Sequence, residues 1–351
     1  MIIFGGVEIP SNRTLLERSG VEHVMLNYWG LRKRGLPKTK AYLVAEHFLP
    51  SMKVWIDSGA VQADKANLSR EELEEYAADY EEFIALNYDR IEGWTEFDSQ
   101  VMGLPWIEQQ RAAFENDPKI WVVWHESYGI NNLHDLGQNW LNIAIPNEAM
   151  EAVTNLATII QGLKRKNPIN VHGLAIAKPD NLRQIPFTTT TTLSWLSPMR
   201  RGETIIWDGN RLVRYPKKMK AQARTRYKAV VERAGLDFTK FVNDDTLEAT
   251  KVAVWSYKQL EKTMSNNYNN NNPYKPQVAD NSDDTLYTGL MEMGGGASDN
   301  SALDMRKKEA KEVVQRDPSE VVSMPVFGYQ MKTIVDNEDG HDVLKDVPCL
   351  L

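Results

Sequence analysis

The sequence contains almost no cysteine and no long apolar run, and both absences limit what the protein can be. Its one cysteine, Cys349, is unable to form a disulfide or a cysteine-rich zinc site within a single chain. The six histidines show no HExxH-like spacing, so we expect no metal and no cofactor. No apolar run reaches the roughly 18 residues that a membrane span needs, and the start MIIFGGVEIP lacks the features of a signal peptide. We therefore expect a cytoplasmic protein with no membrane partner.

The chain also lacks an overall positive charge, since its formal net charge is −7. Basic residues are nevertheless concentrated between residues 200 and 228, where Glu203 and Asp208 are the only acids. A local stripe of this kind can neutralise phosphates and release counterions while the whole molecule stays acidic. The alternative is a solvated helix face. The candidate nucleic-acid-binding residues are Arg200, Arg201, Arg211, Arg214, Lys217, Lys218 and Lys220, and a second basic cluster comprises Arg32, Lys33, Arg34, Lys38 and Lys40.

Short apolar runs bounded by turn residues alternate with helical patterns along the chain. A length of 351 residues with 42% hydrophobic residues is enough for one large core or two modest cores. Strands that alternate with helices predict βα units around a parallel sheet, and both an open doubly wound sheet and a closed (β/α)8 barrel fit the pattern. The predicted strands span residues 22–27, 53–56, 91–97, 119–124, 169–176 and 186–193.

Two segments have the periodicity of amphipathic helices. In residues 69–86, Ser69 is a candidate N-cap with Glu72 three residues later, and the apolar residues share one face. Residues 147–164 show the same spacing and predict a second long helix. The predicted apolar faces are Leu73, Tyr76, Ala77, Tyr80, Phe83 and Ile84 in the first, and Met150, Val153, Leu156, Ile159, Ile160 and Leu163 in the second.

Residues 204–215 depart from this alternation and predict a β-hairpin. Asp208 and Gly209 supply turn chemistry between two β-prone runs, so we interpret Asp208 as a turn residue and not as a catalytic acid.

The composition changes again near residue 265, where the segments NNYNNNNPYKPQ, NSDD and MGGGASDNS begin. These segments are too polar to offset the entropy cost of ordering. We therefore predict a folded domain of residues 1–264 and a low-complexity linker and tail of residues 265–351. Within the tail, residues 302–316 predict a helix. Residues 321–335 predict a short apolar element that docks on the body or on a partner, which makes a protein partner or a homo-oligomer a hypothesis.

Polar side chains follow three of the predicted strands. Asp57 follows KVWI, Asp98 follows GWTEF, and His125 follows WVVW and precedes Glu126. In a barrel the carboxyl ends of the strands share one rim, where active groups stand. Carboxylates that lie a few ångströms apart separate into acid and base roles, or can hydrogen-bond a polar heterocycle. The structural alternatives are a helix cap for Asp57, a partner of loop amides for Asp98 and simple packing for His125.

The same segments resemble, in order, parts of the queuine/guanine transglycosylases. The run DSGAVQ, which begins at Asp57, is similar to the family's DSGGFQ segment, and EFDS, which contains Asp98, is similar to the segment with its base-recognising aspartate. VVWH ends at His125 where the family has a VQGG-like strand end, and HGLAI, which contains Gly173, resembles its GLAVG strand. Residues 191–209 resemble the nucleophile strand, the basic loop and the WDG hairpin. The SW dipeptide, the length and the missing zinc cysteines look closer to the branch found in phages and DNA-modification clusters.

The resemblance implies a (β/α)8 barrel with an inserted β-hairpin and a low-complexity C-terminal tail. It also implies exchange of guanine for a free 7-deazaguanine base in DNA, or alternatively in tRNA, through a covalent nucleotide intermediate. In a duplex the target base would be flipped out, and the basic stripe would hold the backbone. A phage-encoded enzyme of this kind would act in the host cytoplasm.

Site roles follow from the same resemblance. Asp57 would be the general acid and base beside the departing guanine, and Asp98 would contact the purine edge. The remaining candidate base-binding residues are Ser58, Gly59, His125, Gly173 and Leu174.

The resemblance fails at the nucleophile. The family's nucleophilic aspartate aligns with Thr191, which we therefore count as a third candidate catalytic residue. A threonine hydroxyl without an activating base is a far weaker nucleophile than a carboxylate, and a run of threonines also suits a buried β-branched strand. Either Asp57 or Asp98 has taken the covalent role, or the chemistry on another purine substrate differs. The remaining alternative is a catalytically degenerate barrel that binds nucleic acid or assembles with other proteins.

Overall fold

The computed structural model describes residues 1–35, 42–271, 333–336 and 342–345. Eight parallel strands form a closed barrel in chain order, which confirms the (β/α)8 alternative and excludes the open doubly wound sheet. The first strand pairs with the eighth, with Ile3 opposite Thr191, and this pairing closes the barrel. The strands are β1 (Ile2–Gly5), β2 (His23–Asn27), β3 (Lys53–Asp57), β4 (Ile91–Thr95), β5 (Ile120–Val123), β6 (Asn142–Pro146), β7 (Asn170–Leu174) and β8 (Thr189–Thr192).

Helices alternate with these strands and pack on the outer face of the barrel. They are α1 (Pro10–Arg18), α2 (Tyr28–Lys33), α3 (Val44–His47), α4 (Ala60–Asp64), α5 (Arg70–Asn87), α6 (Leu104–Arg111), α7 (Gly129–Asn139), α8 (Ala149–Ala152), α9 (Leu156–Lys166), α10 (Pro179–Gln184), α11 (Ser197–Arg201), α12 (Lys220–Thr225), α13 (Lys228–Arg233), α14 (Phe238–Val242) and α15 (Thr246–Asn271). Short 3-10 helices lie at Tyr88–Arg90, Ala112–Phe114, Glu126–Tyr128, Ser194–Leu196 and Lys217–Met219. No helix in the described part of the chain is both long and apolar enough to cross a membrane.

The barrel wall separates two apolar layers, because successive strand residues point to opposite faces. On β3, Val54 and Ile56 belong to the large cluster between the strands and the helices, whereas Trp55 packs inside the barrel. The ring centroids of Trp55 and Trp121 are 5.6 Å apart. Gly93 of β4 makes room for both rings, since a Cβ there would lie 2.7 Å from an atom of the Trp55 ring.

The predicted helix at residues 69–86 is confirmed as α5. Ser69 Oγ accepts a hydrogen bond from the backbone N–H of Glu72 at 3.2 Å, and Glu72 accepts one from the backbone N–H of Ser69 at 2.7 Å. This reciprocal pair is the capping box that the sequence predicts. All six residues of the predicted apolar face are buried.

The prediction of one helix over residues 147–164 is wrong. The segment divides into α8 and α9, and Asn155 precedes α9 with a left-handed φ of 66°. Val153 and Thr154 are β-branched and weak helix formers, and Asn155 tolerates the left-handed conformation that breaks a helix. The apolar spacing on the two sides of this break nevertheless faces the same core, where Leu156, Ile160 and Leu163 are buried.

The predicted hairpin over residues 204–215 is confirmed. Strands β9 (Thr204–Trp207) and β10 (Leu212–Tyr215) are antiparallel and follow the barrel in the chain. Asp208 Oδ1 accepts hydrogen bonds from the backbone N–H groups of Asn210 and Arg211 at 2.9 and 2.8 Å, as expected for a turn residue. The last helix, α15, packs on β9 and continues to Asn271, beyond the predicted domain edge at residue 264.

The chain divides into two compact units, Met1–Lys307 and Lys308–Leu351. In the second unit, β11 (Thr333–Asp336) and β12 (Asp342–Lys345) form an antiparallel pair. The predicted helix at residues 302–316 lies outside the described residues. Of the predicted apolar element at residues 321–335, only the last three residues are described, and they form part of β11.

Candidate active site

Asp57 is the last residue of β3 and is partly exposed at the carboxyl-terminal rim of the barrel. Its Oδ2 accepts a hydrogen bond from the side-chain amide of Asn27 at 2.7 Å, and its Oδ1 accepts one from the backbone N–H of Gly59 at 3.2 Å. Burial raises the pKa of Asp57 by more than these hydrogen bonds lower it, and the charge of Asp98 raises it further. The carboxyl group is therefore suited to hold a proton and to pass it on.

The helix that follows Asp57 is not capped by this carboxylate. The N-cap residue of α4 is Gly59, which has a φ of 74°, and no side chain caps the helix. A Cβ at Gly59 would lie 2.5 Å from the Cβ of Trp29, so the loop packs directly against α2. The positive φ and the contact with Trp29 thus require glycine at position 59, and a ligand can contact only the main-chain atoms of this residue.

Asp98, which follows β4, connects the ends of three neighbouring strands. Its Oδ1 lies 3.4 Å from the hydroxyl of Ser58, after β3, and its Oδ2 lies 2.8 Å from Nε2 of His125, after β5. The side-chain nitrogen of Gln100 lies 2.8 Å from Nδ1 of His125. Ser58, Asp98 and His125 are all buried. Side chains that follow three neighbouring strands therefore meet at one rim, and Asp57 directly precedes Ser58 there.

His125 is held on both sides by protein groups. Burial lowers its pKa, but the hydrogen bond and the charge of Asp98 together raise it by more, so the net shift is upward. The Gln100 amide faces Nδ1, which places the ring proton on Nε2, toward Asp98. Because both ring nitrogens have partners, a base can contact only the carbon atoms of the His125 ring unless Gln100 moves. Its direct role is to fix Asp98.

Thr191, on β8, points into the barrel and its hydroxyl is already engaged. Oγ1 lies 2.7 Å from Nε2 of His172 and 3.3 Å from the sulfur of Met25. The other ring nitrogen of His172 lies 2.6 Å from the hydroxyl of Thr189. Burial lowers the pKa of His172 to about 3, so the ring is neutral at pH 7 and is a weak base. The Thr191 hydroxyl therefore has a histidine partner, but not one that readily takes its proton.

The two candidate base-binding residues of β7 differ in what they offer. Gly173 is buried, and a Cβ there would lie 3.0 Å from the Cβ of Ile176, so close packing explains this glycine. Leu174 ends the strand, is partly exposed and packs against the cluster of Trp121 inside the barrel. Leu174 is therefore placed to form part of the apolar floor of a pocket at the rim.

Glu96 has a structural role behind this rim. Arg111 donates two hydrogen bonds to its carboxylate at 2.8 and 2.7 Å, and the backbone N–H of Val123 donates one at 2.6 Å. Both side chains of the ion pair are buried. Burial raises the pKa of Glu96, whereas the hydrogen bond and charge of Arg111 lower it. The pair joins β4 and β5 to α6.

Two further rim residues, Asn27 and Glu8, were not singled out by the sequence pattern. Asn27 ends β2 and donates to Asp57, while its own Oδ1 accepts a hydrogen bond from the backbone N–H of Gly30 at 2.8 Å. Glu8 lies in the loop after β1 and is partly exposed, but its Oε2 is shielded from solvent and has no hydrogen-bond partner. Burial raises the pKa of Glu8, and the charge of Asp57 adds to this effect. The rim therefore carries a third carboxyl group.

The predicted basic stripe follows β8 and is largely on the surface. Several of its members are paired with acids: Arg201 and Arg214 with Glu203, Arg211 with Asp208, and Lys220 with Asp244. Arg200, Lys217 and Lys218 are exposed and form no ion pair with another described residue. These three are the best placed to meet a phosphate. In the second basic cluster, Arg32 pairs with Asp79, and Lys38 and Lys40 lie outside the described residues.

The fold and this rim define a (β/α)8 barrel with several carboxyl groups at the carboxyl-terminal ends of its strands. A scan of the chain against protein-family models finds no match, and a search of the curated proteins finds none either. Among the residues that the structure describes, no group of three or more His, Cys, Asp or Glu is arranged to hold a metal ion.

Proposed function

We propose that this protein exchanges guanine in DNA for a free 7-deazaguanine base. The observation that carries the proposal is that Asp57 and Asp98 follow adjacent strands at one rim, where Ser58, the residue after Asp57, contacts Asp98 and the charge of Asp98 acts on Asp57. The raised pKa of Asp57 suits a group that protonates a departing purine and later takes a proton from the incoming one. The resemblance in the order of the motifs supports the same reaction.

Recognition of the purine falls to Asp98 in this proposal. A carboxylate has about four lone-pair sites, and each oxygen of Asp98 has one protein partner, Ser58 or His125. The remaining lone pairs can accept from the N–H groups on the edge of guanine or of a 7-deazaguanine. His125 and Gln100 hold the carboxylate in place for this contact, and Leu174 supplies an apolar surface beneath the ring.

The basic residues next to the rim support a nucleic acid as the substrate. Arg200, Lys217 and Lys218 are exposed after β8, where they are able to contact the phosphates that flank a flipped nucleotide. The likeness to the DNA-modification branch favours DNA over tRNA. Replacing both Lys217 and Lys218 by alanine should reduce the slope of log binding constant against log salt concentration by about 2. An unchanged slope would place the phosphates elsewhere.

The exchange is tested with purified protein, duplex DNA and free 7-deazaguanine bases, followed by digestion of the DNA and mass spectrometry of the nucleosides. A modified deoxyguanosine is expected with the wild type and not with Asp57→Asn. Asp135→Asn, at an exposed acid on α7, is the matched control and should keep full exchange. A parallel reaction with tRNA distinguishes the alternative substrate. Full exchange by Asp57→Asn would remove the acid–base assignment.

A second candidate function is a barrel that binds DNA without altering it. The burial of Thr191 favours it, since the hydroxyl at the family's nucleophile position is committed to His172 and Met25. This candidate predicts salt-dependent DNA binding. In the nucleoside analysis, deoxyguanosine in the DNA and guanosine in the tRNA should remain unmodified.

A further inference from the structure

Glu8 has an unusual environment for a carboxyl group. It lies in the loop between β1 and α1, at the same end of the barrel as Asp57. Oε2 is shielded from solvent and has no hydrogen-bond partner, although a buried polar atom without a partner costs about 1–3 kcal/mol. A side chain kept in such a position calls for an explanation beyond stability. The residue as a whole is partly exposed, so the side chain lies at the surface of the rim and not in the core.

Glu8 is connected to Asp57 through a short chain of contacts. Its side chain packs on Gly30, where a Cβ would lie 2.8 Å from the Cγ of Glu8. The N–H of Gly30 donates to Asn27, and Asn27 donates to Asp57. The absence of a side chain at Gly30 thus lets the Glu8 carboxyl group lie beside the pair that holds Asp57. Two carboxyl groups that sense each other's charge tend to divide into acid and base roles.

Glu8 also lies beside the end of β8, the strand that carries Thr191. Strand β1 pairs with β8, with Phe4 opposite Thr192. The side chain of Leu193, directly after β8, covers Gly5 and Gly6, where added Cβ atoms would lie 3.0 and 3.3 Å from its Cδ2. The loop that carries Glu8 therefore begins where β8 ends. A carboxyl group on this loop can reach a sugar bound at the rim. Thr191 lies inside the barrel, so it could reach the sugar only if the sugar entered the barrel.

We propose that Glu8 is the nucleophile that attacks C1′ of the target deoxyguanosine, an inference that rests on the proposed function. In the first step a bond forms between a Glu8 oxygen and C1′, while the bond from C1′ to N9 breaks. The electron pair of the broken bond leaves with guanine, which takes a proton from Asp57. In the second step Asp57 accepts the N9 proton of the 7-deazaguanine, N9 bonds to C1′, and the Glu8 carboxylate is released. Each displacement inverts C1′, so the exchange retains configuration.

The positive charges beside the carboxyl group agree with this role. Burial and the charge of Asp57 raise the pKa of Glu8 and the net shift is upward, whereas a backbone hydrogen bond and the charges of Arg200 and Arg34 oppose that shift. The two arginines thereby act toward the ionised form that a nucleophile needs. Arg200 forms no ion pair with another described residue and lies close enough to the rim to face the phosphate of the same nucleotide.

The covalent intermediate provides the test. Full-length protein is mixed with duplex DNA without a 7-deazaguanine, denatured, digested and analysed by mass spectrometry for a nucleotide on the peptide that contains Glu8. Glu8→Gln keeps the shape of the side chain and should lose the adduct and at least roughly 1,000-fold in exchange rate. It should keep DNA binding and a normal melting temperature. Glu17→Gln, at an exposed glutamate on α1, is the matched control and should behave as the wild type.

The outcomes separate this proposal from the proposed function. An adduct on Asp57 or Asp98 in the wild type, or exchange by Glu8→Gln at the wild-type rate, would overturn the role of Glu8 and leave the base exchange standing. A wild type that forms neither an adduct nor a modified nucleoside, with DNA or tRNA, would overturn the proposed function, and the role of Glu8 with it. Glu8→Asp keeps the carboxylate but shortens the side chain, and should retain the adduct at a reduced rate.

Discussion

The buried ring of His172 predicts a specific loss of stability in acid. Its pKa is about 3 in the folded protein, because burial disfavours the charged ring, whereas an exposed histidine has a pKa of about 6.5. Between these two values the unfolded chain binds a proton that the folded protein does not bind. The free energy of unfolding therefore falls as the pH is lowered below 6.5, and the loss from this group ends near pH 3. For His172 alone the expected fall is about 2 kcal/mol between pH 7 and pH 5.

The variant His172→Gln isolates this contribution. Glutamine retains a donor and an acceptor for the hydroxyls of Thr189 and Thr191 but does not titrate. Urea unfolding of both proteins at pH 7 and pH 5 gives the difference in free energy of unfolding at each pH. The part of that difference that is independent of pH reports packing, and only the change with pH reports the titration. The wild type should lose about 2 kcal/mol more than the variant on going to pH 5. Equal losses would refute a buried, neutral His172.

Two further predictions concern the support of the rim. Gly59→Ala should cost roughly 2–4 kcal/mol of unfolding free energy, because the positive φ and the contact with Trp29 both oppose a Cβ. Gly235→Ala is the control, because Gly235 has a similar φ of 72° but no atom lies within 4 Å of an added Cβ. It should cost only about 1–2 kcal/mol of unfolding free energy. Equal losses for the two variants in urea unfolding would contradict the role of packing at Gly59. Arg111→Met should cost roughly 3–5 kcal/mol, since it leaves the buried carboxyl group of Glu96 without its cationic partner. Adding Glu96→Gln should recover much of that loss, and a double variant less stable than Arg111→Met would disprove the explanation.

The rim residues that follow long apolar runs were predictable, because a strand and the polar residue after it are local signals. Asp57, Asp98 and His125 each follow such a run, and the structure brings them to one rim. The capping box at Ser69 is equally local, since its two hydrogen bonds join residues three apart. The break at Asn155 shows the limit of periodicity, since apolar spacing can continue across an interruption of the helix.

The missed features depend on partners far along the chain. Strand β1 is a short apolar run, and its hydrogen-bond partner β8 is the last barrel strand in the sequence, more than 180 residues later. Strand β6 ends in Pro146, a residue that is disfavoured within strands. Glu8 was not predicted as a site residue, because the strand that precedes it, β1, was not predicted either. The contact between Thr191 and His172 was equally invisible, because it arises only when β7 and β8 lie side by side.

The pairing of β1 with β8 has a consequence for biosynthesis. The backbone N–H of Ile2 also donates to Glu261, on α15, so the beginning of the chain is anchored by residues that the ribosome adds much later. Until they emerge, the nascent sheet has two unsatisfied edges that invite pairing with other chains. Recovery of native protein should therefore rise when chaperones that shield nascent chains are supplied in excess.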